Sequence, residues 1–263
     1  MLRTRVIPVL LLQNNRLVKT IRFKNPVYIG EPINAVRIFN DKEVDELILL
    51  DITATNDNRE PNYKRIEEIV SEAFMPIGYG GGINKIEQIE KLFKLGIEKI
   101  ILNTAAQVNP DLIKQASQIF GNQSIVVAID IKKDFWGKTR IYTHSGNKKQ
   151  GVDLYSFLRI AEEAGAGEIF INSIDRDGTM NGYDIELIKK VSSNVDVPVV
   201  ASGGAGKIKD FSLAIKAGAS AVAAGAMFVF QGVHRAVLIS YPKYEELENQ
   251  LNIDNNGESI SNL

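Results

Sequence analysis

The chain has 263 residues, 44% of them apolar and 24% charged, with a net charge of −1. That length suits one large α/β domain, since a (β/α)8 barrel typically needs about 250 residues. The balanced charge gives no electrostatic reason to expect nucleic acid or an anionic membrane as partner. The lack of cysteine excludes disulfides and thiolate chemistry, and two histidines, His144 and His234, are too few and too far apart to indicate a metal site.

Eight short runs rich in Val, Ile and Leu follow one another at 6–12, 47–52, 75–79, 99–103, 125–131, 168–173, 197–202 and 221–225. They read as strands buried on both faces, as a parallel sheet requires. The first run lacks a small-residue cleavage pattern after it and fits a strand better than a signal peptide. No apolar stretch approaches the ~18 residues of a bilayer span, so a cytoplasmic protein is expected. Between the runs lie amphipathic helical patterns, with Ile66, Ile69, Val70 and Ala73 on one face and Ile86, Ile89, Leu92 and Phe93 on another. Asn84 stands where an N-cap belongs, and Gly96, Gly121 and Gly165 stand as helix stops.

Segment 13–32 is long for a β/α connection, which usually has about 2–6 residues, and in a barrel it would lie over the catalytic face. Trp136 falls in another extended loop, after Asp130. Residues 252–263 are polar and rich in Asn and Ser, and a mobile tail is expected there.

The two halves repeat each other. Pro76 and Pro198, Glu46 and Glu168, and Gly96 and Gly218 all recur at one offset of 122 positions. A duplicated half-barrel accounts for this; a doubly wound open sheet is the main alternative and gives no reason for a whole-chain repeat. The expectation is a (β/α)8 TIM barrel over 1–251, with halves of about 1–121 and 122–251.

Glycine clusters at Gly80, Gly81 and Gly82 and at Gly203, Gly204 and Gly206 each follow a strand and precede a helix. Small residues there let backbone N–H groups and a helix N-terminus meet a phosphate, although glycine in turns also has purely steric causes. Asn103 and Thr104, and Gly225 and Ala226, end the next strands equivalently. Two phosphate sites on opposite sides of one mouth are expected, for a phosphorylated small molecule with a phosphate at each end. No cofactor and no metal is expected.

Asp130 interrupts an apolar run at the end of a strand, where barrel enzymes keep acids and bases, though a loop-capping role is open. Aligning the halves sets it against Leu11. Asp51, Asp175 and Asp177 are further strand-end carboxylates, the last two equally able to cap the next helix, with Gly178 beside them. Arg5, Glu46, Lys99 and Glu168 stand at strand starts, as an ion-paired ring closing the barrel bottom or as plain solvated charges.

Together these residues resemble the cyclase subunit of imidazole glycerol phosphate synthase. The motifs Leu50-Asp-Ile-Thr-Ala54, Tyr79-Gly-Gly-Gly82, Leu102-Asn-Thr-Ala-Ala106, Val127-Ala-Ile-Asp130, Ser173-Ile-Asp-Arg-Asp-Gly-Thr179 and Ala201-Ser-Gly-Gly-Ala-Gly206 carry the likeness. The resemblance implies a bis-phosphorylated substrate, phosphate contacts from Asp177 and Gly178, and a substrate-loop lysine at Lys19. It also implies a glutaminase docked on the barrel bottom, with ammonia passing the gate of Arg5, Glu46, Lys99 and Glu168. The family's cyclase uses two aspartates, and the one on the first strand falls at position 11, where this chain has Leu11. The sister isomerase of the histidine pathway needs the same aspartate.

Segments Arg5-Val-Ile-Pro-Val-Leu-Leu-Leu12, Leu17-Val-Lys-Thr20, Phe135-Trp-Gly137 and His234-Arg-Ala-Val-Leu-Ile-Ser-Tyr-Pro242 resemble the cyclase-like branch of bacterial surface-polysaccharide gene clusters. That branch implies a heterodimer with a glutaminase and a separate sugar amidotransferase that uses the delivered ammonia. A genuine cyclase with Asp51 or Asp177 replacing the missing acid, and a non-catalytic scaffold, are the alternatives.

Overall fold

The computed structural model describes residues 4–252. Eight parallel strands form the core: β1 (Arg5–Gln13), β2 (Leu47–Asp51), β3 (Ile77–Gly80), β4 (Lys99–Leu102), β5 (Ile125–Lys133), β6 (Glu168–Ser173), β7 (Val199–Ser202) and β8 (Ala221–Ala224). Each pairs with the next, and β8 returns to β1 through Arg5↔Ala221 to Pro8↔Ala224, so the sheet closes on itself. This is the (β/α)8 barrel. The strands at 75–79 and 197–202 begin two residues later than the sequence suggested. The peptides of Pro76 and Pro198 accept from Leu47 N and Ile169 N, but proline has no N–H with which to continue a ladder.

Two apolar layers hold the barrel. One lies between strands and helices and includes Phe39, Ile69, Leu92, Phe157 and Phe211, all buried. The other fills the barrel axis with Ile7, Val9, Ile48, Ile101, Val126, Phe170 and Val200. Burying each large side chain of this kind contributes about 1.5–3 kcal/mol.

The half-repeat is visible in local chemistry. Helix Ile86–Lys94 starts with Gln88 accepting from the N–H groups of Asn84 and Lys85; helix Ile208–Lys216 starts with Asp210 accepting from Gly206 and Lys207. Asn84 is therefore not the N-cap; Lys85 is, and the Gln88 side chain at the third helical position reaches back to accept from its N–H. The repeat also holds in register. Leu11 lies beside Leu50, and Asp130 lies beside Asn172, the residue equivalent to Leu50.

Both β1 and β5 run on into antiparallel hairpins at the C-terminal end of the barrel. The first comprises Arg16–Ile21 and Lys24–Gly30, joined to β1 by Asn14 and Asn15, both at positive φ. This is what segment 13–32 becomes. The second places Thr139–Thr143 against Asp130 to Lys133, with Trp136 at its turn. After β8 the chain crosses back so that Tyr241 donates to Val6 O and its ring meets Phe228, and the helix Tyr244–Asn252 packs on the helix Ile208–Lys216. Asn252 closes that helix; the rest of the tail expected to be mobile lies outside the described residues.

Candidate active site at the barrel mouth

A single cavity opens at the C-terminal ends of the strands. Its wall brings together Leu11, Lys19, Asp51, Gly81, Gly82, Asn103, Thr104, Asp130, Asp177, Gly178, Gly203, Gly204, Gly225 and Ala226. Of the residues singled out for the mouth, Gly206 and Asp175 stand outside its wall. The Asp175 carboxylate accepts from Lys133 N at 2.8 Å and faces a separate depression with Arg22 and Arg176. Neither Asp175 nor Asp177 caps the following helix, whose N-cap is Asp184.

Asp130 accepts from Asn103 Nδ2 and Asn172 Nδ2, each at 3.2 Å. It is recessed in the cavity rather than spread on the surface. Burial pushes its carboxyl up to about 7; the Asn172 amide pulls it back, and the Asp177 charge raises it further. A carboxyl poised near neutrality can both give and take a proton. Asn172 could have been found from sequence, because it breaks an apolar strand on the same face as Asp130 breaks its own.

The remaining carboxylates are committed. Asp51 Oδ1 accepts from Thr53 N, Thr53 Oγ1 and Ala54 N at 3.0–3.1 Å, and Arg59 lies 3.6 Å from Oδ2. It closes the loop after β2. Asp177 is paired with Lys19, whose Nζ lies 2.9 Å from Oδ1 and 3.2 Å from Oδ2, and Thr20 Oγ1 also donates to it. Both partners are largely buried, so the pair ties the first hairpin down over the mouth. Phe23, at the tip of that hairpin, also lines the cavity, and its turn gave no apolar signal in the sequence.

The glycine clusters answer to two demands. A side chain at Gly81, at φ +116°, would meet Asp51 O, and one at Gly203, at φ +86°, would meet Ser173 O, so each lets adjacent loops pack. Each also exposes backbone to the cavity. Helices Thr104–Val108 and Ala226–Val229 start at its rim, where first-turn N–H groups lack helical partners and favour an anion. β3 and β4 lie four strands around the ring from β7 and β8, so the two sets of glycine turns and helix starts face each other.

At the opposite end of the barrel, Arg5 pairs with both Glu46 and Glu168. Lys99 Nζ lies 2.9 Å from Glu46 and 3.0 Å from Glu168. The four charges alternate in a closed ring across the axis, and both glutamates are buried.

Comparison with known proteins fits this arrangement. The family described as histidine biosynthesis protein matches residues 5–234. A Pseudomonas aeruginosa protein, provisionally named imidazole glycerol phosphate synthase subunit hisF2, is 53% identical over 94% of this chain and 99% of its own length. A Vibrio vulnificus protein provisionally named as subunit hisF3 is 48% identical over 96% of this chain and 98% of its own. The imidazole glycerol phosphate synthase subunit HisF of Streptomyces griseus is 42% identical over 87% and 91%. The chain belongs to the HisF family of cyclase-like subunits. Against that family's expected pair of aspartates, the mouth of this HisF-family chain holds Asp130 with a leucine at the matching register position. No helix among the described residues is long and apolar enough to cross a membrane.

Proposed function

We propose that this chain is the ammonia-delivering barrel of a glutamine amidotransferase complex. A glutaminase docks on the barrel bottom, ammonia enters past Arg5, Glu46, Lys99 and Glu168, and it leaves at the mouth. There it serves a separate amidotransferase acting on a sugar precursor of a surface polysaccharide. Leu11 carries this reading. It lines the mouth at the position equivalent to Asp130 and can neither give nor take a proton. Removing one general acid or base typically costs about 10²–10⁴-fold in rate, so cyclisation should be slow while passage of ammonia needs no such group. The sugar assignment rests on the resemblance of the segments around Leu11, Lys19, Trp136 and His234. The opposed glycine turns and helix starts would hold a phosphorylated small molecule, and the two halves, about 1–121 and 122–251, descend in this reading from one duplicated unit.

A second reading, that of a true cyclase, draws support from Asp177. It lines the same cavity, and its charge bears on Asp130. It would become available once Lys19 swings away. Asp51 suits that role less, since its Oδ1 is held by three donors of its own loop, Thr53 N, Thr53 Oγ1 and Ala54 N, which no swing of one side chain would release.

Steady-state cyclase turnover with purified chain, the bis-phosphorylated ribulosyl substrate and an ammonium salt separates the two. Turnover near that of an ordinary cyclase would overturn ammonia delivery as the role. Absent turnover, together with stimulation of a bound glutaminase, is the expected result. Absent turnover with no effect on the glutaminase would leave only a scaffold.

A further inference from the structure

The second hairpin carries a feature that the mouth does not use. Phe135 and Trp136 at its tip are 94% and 87% exposed and pack edge to face with ring centroids 5.5 Å apart. Their turn is held firmly. Asp134 accepts from the N–H groups of Trp136 and Lys138 and pairs with Arg140 Nε at 2.8 Å. The Asp134 N–H donates to Lys138 O, and the Gly137 N–H to Asp134 O. A stiff turn that keeps two large rings in water has the character of an interface anchor, because such rings dominate binding energy when a partner buries them.

The surroundings are basic. Segment 132–149 carries six lysine and arginine residues against one acid, Asp134, and segment 14–30 adds Arg16, Arg22 and Lys24 beside the buried, ion-paired Lys19, in a chain of net charge −1. Lys138, Lys148 and Lys149 make no ion pair among the described residues. The tip lies five and six residues beyond Asp130; the strand alone, rising about 3.3 Å per residue, carries the chain roughly 10 Å from Asp130 to Lys133. A partner seated there would cover the mouth.

We infer that the two hairpins form the docking surface for an acidic-faced acceptor enzyme, with Phe135 and Trp136 filling an apolar socket and the basic side chains steering approach. The inference rests on the ammonia-delivery reading. Charge complementarity and continuity with the mouth select this occupant. A second copy would bring an equally basic face and be repelled. An acceptor clamped over the rim takes ammonia before water does.

The test uses the full chain reconstituted with its glutaminase and the sugar amidotransferase. It compares amidation driven by glutamine with amidation driven by an ammonium salt. In the double variant Phe135→Ser, Trp136→Ser, glutamine-driven transfer should fall about tenfold or more, with glutamine hydrolysis and ammonium-driven transfer unchanged. Trp136 is the sole tryptophan of the chain, so its emission should shift to the blue when the amidotransferase is added, and less so at high salt. Unchanged glutamine-driven transfer in the variant would overturn the docking surface and leave ammonia delivery standing. A wild-type assembly that never couples hydrolysis to transfer would overturn both. A blue shift with phosphatidylglycerol vesicles and none with the amidotransferase would reassign the rim to a membrane.

Discussion

The two halves of the mouth share a backbone and differ in what they present. On one side Leu11 stands beside Leu50, with Ile52 completing a hydrocarbon wall; on the other Asp130 stands beside Asn172 in the same register, with Asn103 closing on it. The glycine turns above them remain paired. The two halves therefore share strand register and glycine turns, while a carboxylate stands at this position in one of them alone. Stability runs the same way. A leucine packed at position 11 gains from burial, whereas a carboxylate there must be desolvated.

Restoring symmetry is the strongest test of that contrast. Leu11→Asp should raise cyclase turnover by about 10²–10⁴-fold if the rest of the site is intact, measured with ammonium salt at saturating substrate. A flat response would mean that more than one residue separates the two walls. Breaking the far end of the barrel provides the control. Arg5→Met leaves Glu46 and Glu168 with Lys99 as their one remaining cation of the ring, and should lower unfolding free energy by about 3 kcal/mol in denaturant titration.

Smaller effects probe the hairpins and the surviving acid. Lys19→Met leaves buried Asp177 without its ion pair, so amides of Arg16–Ile21 should exchange about tenfold faster or more, with strands β5 and β6 unaffected. Asp130→Asn should have a stabilising effect that depends on pH. The carboxyl is raised to about 7 in the folded chain, above its unfolded value, so its contribution is fully present in acid and is lost as pH rises through 7. The variant should match wild type near pH 4 and exceed it by about 1–2 kcal/mol at pH 8, allowing for solvent in the cavity. Equal stability at both values would show that Asp130 is better solvated than its recess suggests.

Much of this was legible beforehand because its causes are local or repeated. Continuous β-branched runs gave the eight strands, and the offset shared by Pro76 and Pro198 and by Gly96 and Gly218 gave the closed, duplicated topology. The hairpins were harder. Asn14 and Asn15 carry the positive-φ signal of a tight turn, but Arg22 and Phe23 adopt the same conformation without a residue type that favours it. Asn172 is harder to read than Asp130, because its strand also carries Glu168 and Ser173, and its partner, Asp130, lies 42 residues away and meets it only through strand pairing. The assignment of Asp175 to the mouth failed for a related reason, since one residue in a loop decides which way a carboxylate turns.

A closed barrel has no free sheet edge, and the hairpins reintroduce one. Lys24–Gly30 is the outer strand of the first ribbon, with Val27 and Tyr28 each 53% exposed. Left regular, such a strand would be a template on which another chain could add itself. It carries Lys24 and Pro26 and pairs with two register irregularities, so its outward hydrogen-bonding row is interrupted. The ribbon beside the mouth thus carries the features that disfavour edge-to-edge addition of another chain.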